Sequence, residues 1–325
     1  MAGTAGDKGL VAVFGGSGFL GRHVVRALLK RGWRVRAAVR RPDLAGHLQP
    51  LGMVGWVQPV QANLRYRWSV DRAVDGADAV VNLVAILAES GRQRFDAVHV
   101  FGARAVAEAT RAAGIDRLVH VSAIGADPHS PSDYARTKAL GEQAVFETVP
   151  GAAVMRPSIM FGPEDRFFNR FAGLARFLPA LPLIGGGHTR LQPVFVGDVA
   201  RAIADGVEGK VKPATVYELG GPEVKTFRQC MELMLKEIDR KRLLLPLPWP
   251  LASAAGAVLQ YLPGRMLTSD QVRSLRVDNV VSDAARREKR TLPGLGIEPT
   301  SLAAILPSYL VRFRPHGQFE RRHPA

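Results

Sequence analysis

Gly15-Gly16-Ser17-Gly18-Phe19-Leu20-Gly21 follows the apolar run Leu10-Val11-Ala12-Val13-Phe14 and opens the helically periodic stretch Phe19 to Arg31. An apolar run that stops at glycines reads as a buried strand, and the 3.6-residue period after it reads as a helix. Both GxxGxxG (Gly15, Gly18, Gly21) and GxGxxG (Gly16, Gly18, Gly21) fit the turn between them. Such glycines permit a tight turn and a close backbone approach to a pyrophosphate, and the helix N-terminus supplies unpaired N–H groups. The strand–turn–helix setting makes the pattern specific for a dinucleotide.

The alternation continues outward from this turn. Strands are expected at Trp33–Val39, Val57–Val60, Ala79–Val84, Leu118–Val121 and Ala153–Met155. Helices are expected around Val70–Val74, from about Phe95 to Ala113, and around Ala135–Glu147. This order predicts an α/β fold of the Rossmann type, a doubly wound parallel sheet with helices on both faces. After Arg156 the segments PALPLIGGG, LPLPWPL and RTLPGLG break the pattern. Residues 1–156 are therefore expected to form the NAD(P)-binding domain. Residues 157–325 are expected to form a smaller, discontinuous α/β domain, with segments returning to the sheet and a C-terminal docking region.

Composition narrows the function. Apolar residues make up 47% and charged residues 22% of the 325, an ordinary globular balance that excludes a disordered or collagen-like chain. One cysteine, Cys230, excludes a disulfide framework or a multi-cysteine metal site, and the eight histidines show no short ligand spacing. No metal site is expected. The net charge of +15 predicts attraction to an acidic partner. The basic residues are dispersed, without an aromatic-interleaved stripe or a DNA-binding motif, so nucleic acid is not expected.

Two further motifs carry chemistry. The second strand ends Val39-Arg40-Arg41-Pro42, where an acid would grip the ribose hydroxyls of NAD. Arginines there fit a 2′-phosphate, which favours NADP(H) over NAD(H). Tyr134-Ala135-Arg136-Thr137-Lys138 is a YxxxK pair that a helix places one turn apart on one face. A nearby ammonium favours the phenolate, so Tyr134 and Lys138 are the candidate catalytic pair.

On these residues the chain resembles the extended and atypical short-chain dehydrogenase/reductase superfamily, which includes NAD-dependent epimerases and dehydratases. Asn82-Leu83-Val84-Ala85, Val121-Ser122, Gln192 to Ala200 and Tyr217 to Pro222 match too, so the likeness spans about the first 225 residues. Val119-His120-Val121-Ser122, Ala135 to Glu142, Arg156 to Asn169, Leu243 to Leu251 and Pro293 to Ile297 narrow it to the nucleotide-binding accessory subunits of respiratory complex I. That resemblance implies cofactor contacts from Gly15, Ser17, Gly18, Phe19, Leu20 and Gly21, and from Arg40, Arg41 and Asn63. It adds Leu83, Val84, Ala85, Ser122, Tyr134, Lys138, Pro157, Ser158 and Ile159. It implies an accessory, largely structural role, other complex I subunits near the quinone site as partners, and a place on the peripheral arm close to the membrane. The superfamily's catalytic hydroxyl falls on Ala123, which cannot donate one, and Tyr134 and Lys138 then serve the cofactor alone. The alternative is a free-standing NADP-dependent oxidoreductase or sugar-nucleotide epimerase, with a role in quinone biosynthesis as a variant.

The stretch Leu243 to Gly264 is uncharged and lies between Arg240-Lys241-Arg242 and Arg265. Pro246, Pro248 and Pro250 break it, and Leu251–Leu262 is too short to span a bilayer. An interfacial helix meeting lipid headgroups is the expectation. The first ten residues, MAGTAGDKGL, carry neither an apolar signal core nor an Arg-rich leader. Together these point to a peripheral protein on the cytoplasmic face of a bacterial inner membrane.

Overall fold

A computed structural model describes residues 8–261 and 267–315 of the chain. The described residues fall into two compact units. One holds residues up to Pro157 together with Gly197–Leu219 and Ser282–Ile297, and the other holds Ser158–Val196, Gly220–Val281 and residues from Glu298 onward.

The first unit is built on β1 (Leu10–Phe14), α1 (Phe19–Lys30), β2 (Arg34–Val39), β3 (Val57–Gln61), α2 (Arg67–Val74), β4 (Ala79–Asn82), α3 (Phe101–Ala112), β5 (Leu118–Val121), α4 (Asp133–Thr148) and β6 (Ala153–Pro157). Its sheet runs β3-β2-β1-β4-β5-β6 and ends on the later strand Thr215–Leu219, with every pairing parallel. The expected doubly wound sheet is the observed one. β1, β4 and β5 are buried along nearly their whole length, because helices cover both faces. The order reverses between β1 and β4, where ligands of such sheets bind at the carboxyl ends of the strands.

The expected Phe95–Ala113 helix is not one regular element. Its first turn, Asp96–Val100, is π-helical, and α3 begins only at Phe101. The extra residue in that turn changes which side chain points inward, and His99 is the one buried.

The second unit carries its own core around Phe161, Phe168, Phe227, Met231 and Leu306. Asp165 organises it. Its carboxylate accepts from the amides of Gly162, Phe167 and Asn169 and from the Tyr309 hydroxyl at 2.5 Å. Burial raises the Asp165 carboxyl above its usual range, against the pull of these donors. The helix Trp249–Leu259 stands where the interfacial helix was expected. The end of that stretch, Leu262, and the flanking Gly264 and Arg265 lie outside the described residues. Among the described residues no helix is long and apolar enough to cross a membrane.

Replacing Tyr309 by Phe removes one donor from a buried carboxylate that keeps its three amides. The expected loss is about 1–3 kcal/mol of stability, read by denaturant unfolding of the second unit's aromatic signal.

Candidate functional site

Gly15 sits at φ +80°, which lets the chain leave β1 in a turn closed by Gly18 N–H donating to Gly15 O at 3.0 Å. α1 then packs directly on that turn. A Cβ at position 21 would lie 2.3 Å from Gly15 O and 2.5 Å from Gly16 O, so only glycine fits there. Gly18 caps α1 with no side-chain acceptor, and the first turn of α1 holds no acid. The opening amides of α1 are left to an anion, and the macrodipole adds to the attraction. Ser17 completes the turn, and Phe19 and Leu20 are the first residues of α1. On the opposite side of Gly15, Leu83 and the Val84 backbone come within 3.5 Å of where a Cβ would stand. Val84 is fixed by its amide donating to Asn82 Oδ1, and Ala85 follows it.

The two arginines after β2 are not equivalent. Arg41 forks onto Asp43 through Nε at 3.0 Å and a terminal nitrogen at 2.6 Å, and the Asp43 carboxyl is held below its usual range by that bond. Arg40 is exposed and makes no ion pair among the described residues. Asn63 has committed part of its capacity. Its Oδ1 accepts from Arg65 N–H at 3.2 Å, and its own N–H donates to Ser69 Oγ at 3.0 Å. Its side-chain amide nitrogen is what remains for an adenine ring.

Tyr134 and Lys138 lie in the first turns of α4, which Ser132 caps by accepting from Ala135 N–H. Lys138 is buried and donates to Val121 O at 2.6 Å. Burial lowers its ammonium to about 8, and the Glu142 carboxylate partly offsets this. Glu142 is itself clamped by Arg156 at 2.8 and 2.5 Å. An ammonium has three donors; Val121 O takes one, and the ribose hydroxyls of a nicotinamide nucleotide would suit the others. Ser122 Oγ is buried with no partner among the described residues, another group that a bound cofactor could satisfy. Ala123 presents only a methyl group. The glycine cradle, the underused lysine and the orphaned hydroxyl all fit a dinucleotide. Pro157 closes β6 in the same unit. Ser158 and Ile159 belong to the second unit, where Asn279 Oδ1 takes the Ser158 hydroxyl at 2.6 Å and the Ile159 amide at 3.0 Å.

Sequence reading did not single out two histidines of this site. His99 lies under Tyr134 with ring centroids 5.4 Å apart at 88°. Burial, then the Lys138 charge, lowers its imidazole to about 3. His120 Nδ1 lies 3.2 Å from Asn82 Nδ2, its Nε2 has no partner among the described residues, and burial holds it far below its usual range. His120 stands inside the Val119–Ser122 stretch that carries part of the resemblance, but that stretch marks a strand rather than a role for the histidine.

On the second unit, Phe177 and Leu243 are 80% and 67% exposed, and Leu178, Leu245, Leu251 and Val258 are exposed too. Ala180, Leu181, Pro182, Leu245, Pro246 and Leu247 line an apolar depression of about 280 Å³. Burial, then the charges of Arg242 and Arg176, holds the Arg240 guanidinium below its usual range. These arginines bond to carbonyls: Arg240 to Phe313 O and Arg242 to Ala175 O.

Residues 11–220 match the NAD dependent epimerase/dehydratase family. The chain is 35% identical to the mitochondrial NADH dehydrogenase [ubiquinone] 1 alpha subcomplex subunit 9 of Arabidopsis thaliana, over 97% of this chain and 81% of that protein. It is 34% identical to a ceramide reductase of Caulobacter vibrioides over 78% of each chain. A solved NADPH-dependent quinone oxidoreductase from Escherichia coli, in complex with NADPH, superposes with a TM-score of 0.72 at 21% identity, over 93% of this chain and 99% of that one. The expected bacterial inner-membrane location is overturned here. The subunit 9 relatives, including that of Rattus norvegicus, and the 40 kDa subunit of Neurospora crassa are mitochondrial proteins by name. An N-terminus without a leader was the only ground for the bacterial reading, and it carries no such information.

Both buried histidines are neutral in the folded chain and free to protonate near pH 6.5 once unfolded. Their contribution is complete above that pH and is lost as pH falls toward the folded values, at about 1.4 kcal/mol per pH unit for each. Stability should drop by about 2–4 kcal/mol between pH 6.5 and 5. Denaturant melts across that window check this, and His99→Gln should remove about half of the slope.

Proposed function

The chain belongs to the NAD dependent epimerase/dehydratase family, in the branch of the complex I alpha subcomplex subunit 9 proteins, and we propose that it is an NADP(H)-holding accessory subunit of respiratory complex I. The observation that carries this is the near full-length likeness to those subunits, joined to a site that keeps its cradle and lacks its hydroxyl. Gly15, Ser17, Gly18, Phe19, Leu20 and Gly21 would hold the pyrophosphate. Arg40 would meet the 2′-phosphate, with Arg41 released from Asp43 as a second partner, and Asn63, Leu83, Val84 and Ala85 would line the adenosine. Tyr134, Lys138 and Ser122 would hold the nicotinamide ribose, and Pro157, Ser158 and Ile159 are the remaining candidate contacts. A bound cofactor of this kind stabilises the folded state by mass action.

The exposed apolar face of the second unit, with its crowded arginines, would meet lipid headgroups and neighbouring subunits near the quinone site. Arginines near an anionic leaflet contribute about 1 kcal/mol each. A charge cluster whose Arg240 and Arg242 bond, among the described residues, to backbone carbonyls is suited to that role.

A second reading has one observation of its own, the likeness to a ceramide reductase. In it Tyr134 is the acid/base beside the nicotinamide and Lys138 lowers its pKa, on a substrate such as a sugar nucleotide or an apolar carbonyl compound. Losing one preorganised donor costs around 10²–10³ in rate, which is why Ala123 weighs against it.

Native purification with mass spectrometry tests the leading reading. The protein should travel with complex I subunits and quinone reductase activity. A lone soluble protein with steady turnover near 1 s⁻¹, abolished by Tyr134→Phe, would restore the reductase. Calorimetry tests the cofactor. NADPH should bind more tightly than NADH by about 1.5–3 kcal/mol. Arg40→Ala should remove most of the difference and Arg41→Ala less of it. Equal affinity of the unmodified protein for both cofactors would refute the NADP(H) assignment.

A further inference from the structure

The π-helical turn Asp96–Val100 interrupts the approach to α3, and turns of this kind occur mostly at functional sites. What it positions is His99. The ring Nε2 accepts from Ile86 N–H at 3.1 Å. An accepting Nε2 puts the proton on Nδ1, which then donates to Thr137 Oγ1 at 3.0 Å. The Thr137 hydroxyl in turn donates to Asp133 O at 2.7 Å. The ring also stands edge-on to Tyr134, and Phe95 covers it at 5.4 Å.

The backbone of His99 adds a second contact. A Cβ on Gly141 would lie 2.2 Å from His99 O, so α4 rests directly on this carbonyl one turn beyond Lys138. Ile86 continues the Leu83–Ala85 segment, and Thr137 lies between Tyr134 and Lys138 on α4. One neutral imidazole thus joins the two segments that would enclose the adenosine and the nicotinamide ribose.

We infer that His99 is a positioning residue of the cofactor site, fixing the segment after β4 and the Tyr134–Lys138 turn of α4 in one arrangement. This rests on the cofactor reading proposed above. The geometry requires an acceptor at one end of the side chain and a donor at the other. Phenylalanine keeps the edge-on ring contact with Tyr134 and supplies neither. Glutamine restores a polar end that can accept from Ile86 N–H.

The test compares His99→Phe, His99→Gln and Thr137→Val with the unmodified protein. Amide hydrogen exchange is read at Ile86 without cofactor, and NADPH affinity is read by calorimetry. His99→Phe should speed Ile86 exchange at least tenfold and weaken NADPH at least tenfold. His99→Gln should recover affinity to within about threefold. Thr137→Val, which removes the other partner and keeps the side chain's shape, should weaken NADPH by about threefold to tenfold, and it decides the matter if His99→Phe fails to fold. Unchanged Ile86 exchange in His99→Phe, or unchanged affinity in both His99→Phe and Thr137→Val, would overturn the assignment. If the unmodified protein binds no NADPH, the cofactor reading fails by itself, while Ile86 exchange still reports whether His99 orders the segment.

Discussion

The contact on which this structure depends is the approach of α1 to the turn that launches it. With Gly15 O 2.3 Å from the place of a side chain on residue 21, helix and turn touch backbone to backbone. That contact fixes the direction in which the first amides of α1 point. It also sets the distance from α1 to β1, and through the parallel pairings of β1 with β2 and β4 it sets where the switch point opens. Gly15, at φ +80°, supplies the bend, and Gly21 supplies the room. A larger residue at position 21 would push the helix off the sheet and re-aim its amides, so the fold and the phosphate cradle share one constraint.

A second set of groups works against the fold. Lys138 on α4 and His99, His120 and Asn82 are all buried, and each polar atom there that lacks a partner costs about 1–3 kcal/mol. Burial holds both imidazoles neutral and brings the ammonium to about 8. The hydrogen bonds from Ile86, to Thr137 and to Val121 O offset part of this. The His120 Nε2 and Ser122 Oγ atoms are left over. A purely structural core would replace such groups with apolar ones of the same volume, often at no loss. The proposed cofactor site would account for their presence.

The sequence made the first unit legible because its strands are buried on both faces. Leu10–Phe14 is a continuous apolar run with the observed ends, and Leu118–Val121 is apolar but for His120. The glycine turn and the YxxxK pair were legible because each is local. What escaped reading depends on contacts far apart in the chain. His99 and Thr137 are 38 positions apart, and the role of Gly141 needs the His99 carbonyl beside it. Arg41 looked equivalent to Arg40, and only the fold of Pro42–Leu44 turns Asp43 back onto it. The return of Thr215–Leu219 to the sheet edge beside β6 has no local signal beyond an ordinary strand pattern.

The net charge of +15 takes on a different meaning once the ion pairs are placed. In the first unit many acids are already committed. Glu208 meets Lys8, Arg31 and Lys210, and Glu142 meets Arg156. The surplus is carried partly by arginines that meet no acid among the described residues. Around Arg240 and Arg242 like charges face one another and, among the described residues, bond to carbonyls, beside side chains as apolar and exposed as Phe177 and Leu243. In water this arrangement is unfavourable twice over, through repulsion and through exposed apolar area. Both penalties fall if an anionic, partly apolar surface covers it, because counter-charge and burial then arrive together. The surplus nevertheless divides almost evenly, +8 on the first unit (27 basic against 19 acidic residues) and +7 on the second (17 against 10), so this crowded face accounts for only part of it.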